Sequence, residues 1–215
     1  MRLMKQNNNL FAVDVAFPCG EISPDQLIAL GELVKETGVF TTKVTTRQTM
    51  LVVMEENKAP LFREKLKEIG FKDGAGPVIK NIKVCAGNDD LCTTTVNNVF
   101  KLGMPLYEKY VSMPTPKHFK IAIAGCPKGC TDPFCADLGI IASGKGCYDL
   151  FIGGKGGTIK PKHGKKVASD VPEDKVEAAM CFIFEAYKKE AQPKEKFCTT
   201  IERVGIEKFI PPQDL

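Results

Sequence analysis

The segment FKIAIAGCPKGCTDPFCADLGIIA, residues 119–142, opens and closes as an apolar strand and sets three cysteines in between. Three residues separate Cys126 from Cys130, and Cys135 follows. Gly125, Pro127 and Gly129 deny the loop regular structure, because glycine frees the backbone and proline removes a donor. Packing alone does not call for three thiols in one bend. Upstream, Cys85 and Cys92 form a second pair with six residues between them. Two close pairs of thiolates are the ligand set of a [4Fe–4S] cluster or of a structural zinc. Zinc knuckles usually leave two residues between ligands, so gaps of six and three favour the cluster. The N–H groups of Gly125, Lys128 and Gly129 are available to donate to sulfur, which raises a cluster's potential. Cys19, Cys147, Cys181 and Cys198 lie outside this pattern and read as ordinary core thiols.

Outward from this segment the chain reads as α+β. Phe11, Val13, Val15 and Phe17 alternate onto one face of a strand. Ser23, Pro24 and Gln26 make a capped helix start, Leu27, Leu30 and Val34 its buried stripe, and Gly38 its end. FTTKVTTRQTMLVVM, residues 40–54, is rich in β-branched residues and predicts two short strands or one bent one. APLFREKLKEIG, residues 59–70, is a second amphipathic helix. This β-α-β-α order makes a compact half-domain over 1–70, followed by a glycine-rich connector and a second domain over 71–215. The second domain has a helical stretch beginning at Cys92, strands at Leu138–Ala142 and Tyr148–Ile152, and a long helix over PEDKVEAAMCFIFEAYKKEA.

Composition narrows the function classes. The chain has 215 residues, nine cysteines and a formal net charge of +4. That charge is too mild to argue for nucleic acid. No apolar run is long enough to cross a membrane, and the polar N-terminus lacks a signal peptide's apolar stretch. A cytoplasmic location is the default, and there clustered thiols read as metal ligands rather than disulfides. The positive charge is uneven: KGGTIKPKHGKK, residues 155–166, has five lysines and no acid.

FKIAIAGCPKGCTDPFCADLGIIA with LFIGGKGGTIK resembles the cluster-binding region of the sirohaem-dependent sulfite and nitrite reductases. TTKVTTRQTM, residues 41–50, resembles that family's cofactor-binding strand, and EKFCTTIERVGIEKF, residues 195–209, its C-terminal helix. The resemblance implies a ferredoxin-like half-domain followed by an α+β domain that binds sirohaem and a [4Fe–4S] cluster. It implies cluster ligation by Cys85, Cys92, Cys126 and Cys130, with Cys130 bridging to the haem iron. Sirohaem bears many carboxylates, so Lys43, Arg47, Lys155, Lys160 and Lys162 are its expected partners. Lys43 and Arg47, four apart on a strand, would share a face. The implied activity reduces sulfite to sulfide or nitrite to ammonia, fed by a low-potential donor such as ferredoxin. A half-size scaffold around a large cofactor fits a homo-oligomer or one subunit of a larger reductase. The alternative is an electron-transfer or partner subunit with the same fold and cluster.

Three positions depart from the family pattern. The first cysteine pair has one extra intervening residue, with Ala86 in place of proline, which makes Cys135 a substitute ligand. Asp14 and Ala16 stand where anion-binding arginines are expected. The distal Lys-x-Lys reads His118 and Lys120, and an imidazole with its ordinary pKa near 6.5 suits proton donation.

Overall fold

The computed structural model describes residues 4–6, 9–73 and 76–212, and it divides into two compact units, Met1–Gly76 and Pro77–Leu215. No described helix is long and apolar enough to cross a membrane.

The first unit is an antiparallel sheet of β1 (Met4–Lys5), β2 (Phe11–Ala16), β3 (Thr41–Val44), β4 (Thr49–Met54) and β5 (Lys72–Asp73). Its order is β1-β2-β4-β3, with β5 also paired to β2. The helices are α1 (Pro24–Thr37) and α2 (Ala59–Glu68). α1 starts where the sequence predicts. The Ser23 hydroxyl accepts from Gln26 N–H and the Gln26 side chain accepts from Ser23 N–H, both at 3.1 Å. It ends at Gly38, whose φ of 62° is the left-handed cap conformation. The buried stripe is rotated from the expected one: Leu30 and Leu33 are buried, while Leu27 is 55% exposed. Leu33, not Leu27, completes the core with Val13, Val15, Val52, Met54, Phe62 and Leu66. Arg47 is not on the strand with Lys43. β3 ends at Val44, and residues 45–48 form a hairpin turn closed by Thr45 N–H to Thr49 O at 2.8 Å. The Thr45 hydroxyl holds that turn, accepting from Arg47 N–H at 3.2 Å.

The second unit is built on β6 (Ile79–Val84), β7 (Phe119–Ala124), β8 (Leu138–Gly144), β9 (Cys147–Ile152) and β10 (Lys165–Pro172). The order is β10-β9-β8-β7-β6; β6, β7 and β8 are parallel, and β9 and β10 antiparallel. The helices are α3 (Val99–Tyr110), α4 (Glu173–Glu190) and α5 (Phe197–Val204). α3 starts at Val99 rather than at Cys92, because Asn98 caps it by accepting from Phe100 N–H at 3.2 Å. Phe119, Phe184, Tyr187, Phe197 and Phe209 form one aromatic cluster tying β7 to α4 and α5.

The connection from β7 to β8 positions everything that follows. Parallel neighbours start at the same end, so the chain must return the length of the strand between them. Residues 125–137 make that return without an α-helix, using only a single 3-10 turn at Pro133–Cys135. The cysteine-rich segment therefore begins at one end of the sheet and finishes towards the other.

Candidate functional site

At the far end of β6 and β7, two loops are knotted together through Gly125. Val84 lies opposite Ile123, so Cys85 and Cys126 leave the sheet at the same end. Gly125 N–H donates to Cys85 Sγ at 3.2 Å. Its carbonyl accepts from Val96 N–H at 2.7 Å and Asn97 N–H at 3.2 Å. A Cβ at this position would stand 2.4 Å from Thr95 Oγ1 and 2.9 Å from the Asn97 carbonyl, so the contact needs glycine. Burial pushes the Cys85 thiol up; N–H groups of Gly125 and Gly87 oppose this, and nearby Cys130 and Cys126 reinforce it. Gly129 N–H does not reach sulfur, donating instead to the Cys126 carbonyl at 3.3 Å.

Cys92 joins the same loops. The extra residue between Cys85 and Cys92 is taken up by a turn around Asn88. Asn88 Oδ1 accepts from Asp90 N–H at 3.1 Å and Leu91 N–H at 2.8 Å, and its carbonyl accepts from Cys92 N–H at 3.1 Å. The Thr94 hydroxyl, 3.5 Å from Cys92 Sγ, pulls that thiol down, helped by the N–H groups of Thr94 and Thr95 and by Lys128. Lys128 also donates to Thr94 Oγ1 at 3.4 Å, linking the second cysteine pair to the first. Among the described residues, no three His, Cys, Asp or Glu side chains converge on one ion position. A single tetrahedral zinc needs its sulfurs about 3.8 Å apart. A four-iron cube gives each thiolate its own iron and spreads the sulfurs wider, and four cysteine thiols are the donor set it takes.

Towards the other end of β7 lies a different collection. His118, Lys120, Asp137, Lys155, Lys196 and Cys198 line a cavity of about 20 Å³, with Cys135 in its wall. Cys135 thus lies with the cations of this cavity. Asp137 is buried and accepts from Lys120 N–H at 2.9 Å; burial pushes its carboxyl up to about 6, against the pull of Lys120 and Lys196. His118 is pushed down to about 4 by burial, then by Lys196, Lys120, Lys80 and Lys117. At neutral pH it is uncharged, whereas the ordinary imidazole value would leave it partly protonated. From Lys120 to Ala124 the strand spans about 13 Å, with Cys126 further on. The structure brings His118 and Lys120 together, and Cys85 near Cys126 and Cys130, with Cys92 tied to them through Thr94 and Lys128, but separates the two groups.

Residues 75–211 match the family described as nitrite and sulphite reductase 4Fe-4S domain, and residues 2–69 match the nitrite/sulfite reductase ferredoxin-like half domain. The chain belongs to the nitrite and sulphite reductase family. It is 32% identical over 175 residues to a nitrite reductase [NAD(P)H] of Emericella nidulans, covering 80% of this chain and 15% of that protein. It is 24% identical over 207 residues to an assimilatory-type sulfite reductase of Nitratidesulfovibrio vulgaris, covering 95% and 93%. The NirA protein of Mycobacterium tuberculosis superposes with a TM-score of 0.74 at 20% identity, over 93% of this chain and 39% of that one, which shows the fold. The chain spans between 14% and 20% of the length of these nitrite reductases.

The cluster expected from the cysteine spacing thus agrees with the matched 4Fe-4S domain. The basic residues expected around the second cofactor of such reductases come from both units. Lys43 is exposed on β3 and donates to the Val44 carbonyl at 3.1 Å. Arg47 lies 3.7 Å from the carboxylate of buried Asp14, which answers the acid noted in the sequence: its partner is an arginine. Lys155 and Lys162 exchange main-chain hydrogen bonds at 2.9 and 3.1 Å across the glycine-rich loop. Lys160 is exposed between them, and the Lys162 ammonium pairs with Glu202. Cys19 and Cys198 are buried as expected of core thiols, whereas Cys147 and Cys181 are partly exposed. The sequence reading missed Asp137 and Lys196. Lys196 sits within the quoted C-terminal motif, but only the fold carries that motif to β7.

Proposed function

We propose that the chain is a reductase unit that converts sulfite to sulfide or nitrite to ammonia. Its cluster would be held by Cys85, Cys92, Cys126 and Cys130, with Cys130, the exposed thiol of the four, bridging to sirohaem. The observation that carries this reading is the Gly125 knot, which delivers an N–H to Cys85 Sγ and holds both cysteine loops at one end of the sheet. When bound, the coupled cluster and ring would supply electrons singly to the anion. Lys43, Arg47, Lys155, Lys160 and Lys162 would neutralise ring carboxylates; Asp14 competes for Arg47 and Glu202 for Lys162. Lys120 would hold the anion and donate a proton, and His118 would present a neutral imidazole beside it. The domain division is proposed at residues 1–70 and 71–215, and the location as cytoplasmic. A low-potential donor such as ferredoxin would reduce the cluster, and self-association or a place in a larger reductase fits the chain's length.

The test is iron, labile sulfide and tetrapyrrole content of protein purified without oxygen, followed by sulfite and nitrite reduction with a strong artificial donor. Fully loaded protein that reduces neither anion sinks the proposal. The separation along β7 keeps a second reading in play, an electron-transfer or partner subunit whose His118–Lys120 pocket serves no reduction. Under that reading Lys120→Ala leaves the activity of the complete assembly unchanged; a large loss rejects it.

A further inference from the structure

The family pattern puts two lysines on the anion's side, at the positions of His118 and Lys120. One is missing here, and an imidazole pushed down to about 4 supplies no charge at neutral pH. The cavity nevertheless holds a third ammonium besides Lys120 and Lys155. It belongs to Lys196, 76 residues beyond Lys120 in the chain.

The main chain around Lys196 is fixed from every side. Tyr187 Oη donates to the Glu195 carbonyl at 2.6 Å. The Glu195 carboxylate accepts from Gln192 N–H at 2.9 Å, from Thr200 Oγ1 at 3.0 Å, and from Arg203 at 3.0 and 2.7 Å. Arg203 also donates to the Glu190 carbonyl at 2.6 Å. The Lys196 carbonyl accepts from the N–H groups of Thr199 and Thr200, each at 2.9 Å, as α5 begins. A lysine on so constrained a backbone loses less freedom on binding an anion than one on an open loop. Its charge is felt by His118 on one wall and by Asp137 on another. The lining has three lysines and one carboxylate, Asp137, a balance that favours a small oxyanion.

We propose that Lys196 is the second anion-holding cation of the His118–Lys120 pocket, replacing from another element the lysine absent at position 118. This rests on the reading of that pocket as substrate-facing. A cavity of about 20 Å³ has room for one water or one anion oxygen, so the anion would sit at its mouth with one oxygen inside.

The experiment compares Lys196→Met, Lys196→Arg and Lys120→Met in cofactor-loaded protein, with sulfite and nitrite as probes. Lys196→Met should raise KM by about tenfold or more, the value of one charge-assisted hydrogen bond, with a smaller fall in kcat. Lys196→Arg should restore most of it. A readout independent of turnover is the titration of His118 by NMR, tractable because the chain has only 2 histidines. Losing Lys196 should move the His118 midpoint up towards 6.5, with Lys120, Lys80, Lys117, Lys155 and Asp137 unchanged around it. Should the Met variant not fold, Lys196→Gln is read in the same way. An unchanged KM in Lys196→Met with a raised KM in Lys120→Met overturns the assignment of Lys196 alone. No change in either variant overturns the substrate-facing reading itself.

Discussion

The two ends of β7 are organised on opposite principles. At the Cys126 end, the chemistry lies within short spans of sequence, and hydrogen bonds from Gly125 and Thr94 reach the sulfurs of Cys85 and Cys92. At the Lys120 end, four distant segments contribute one or two groups each, and only His118 and Lys120 share a motif spacing. The first end is specified by local backbone geometry; the second exists only once β8, β9 and α5 are packed. The difference teaches that ligands to a fixed cofactor must be held by their own loop, whereas a field for a small anion can be gathered from anywhere on the surface of a core.

Replacing the ligands gives the largest expected effect. Cys126→Ser should reduce bound iron to near zero, while Cys135→Ser, at the other end, should leave iron unchanged; equal losses would dissolve the contrast. Gly125→Ala comes next. Its methyl would press on Thr95 Oγ1 and the Asn97 carbonyl, costing about 1–3 kcal/mol in chemical denaturation and loosening the cluster. A variant as stable as the parent would mean that Gly125 is not the knot described.

The cationic end is probed by pH. Between about pH 4 and 6.5 the unfolded chain protonates His118 but the folded chain does not, so His118 makes stability fall on acidification. Asp137 acts oppositely: folded, it takes up its proton near 6, and unfolded only near 3.8, so acidification favours the fold. The two slopes oppose each other between about pH 4 and 6. Asp137→Asn removes one of them, and its Tm should drop more steeply than the parent's as pH falls through that window. Parallel Tm curves would show that the two groups are not buried as described. Thr94→Val should have the smallest effect, raising the Cys92 thiol pKa in cofactor-free protein with little change in Tm.

The fold class, the helix start at Ser23 and the strands flanking the cysteines were legible because capping, alternation and turn residues are local signals. The cluster was legible from the cysteine spacing, and the turn that Asn88 closes takes up the extra residue between Cys85 and Cys92. Arg47 was misplaced because a β-branched run hides a threonine-closed turn. Lys196 was invisible as a site residue because it meets β7 only through the aromatic packing of Phe119, Tyr187 and Phe197. The shift of His118 was equally hidden, since burial and four lysines from other positions set it together.

The parallel pairing of β6 with β7 has a consequence for how the protein is made. Cys126 and Cys130 are neighbours in any conformation of the chain, but Cys85 reaches them only when Val84 has come to rest beside Ile123. On the proposed ligand set, half of the cage is present from synthesis, and the other half waits for a long-range strand pairing bridged by α3. Iron and sulfide delivered before that pairing meet only two of the four thiols. Maturation must follow folding, and apo-protein with a formed sheet is the natural recipient of the cluster.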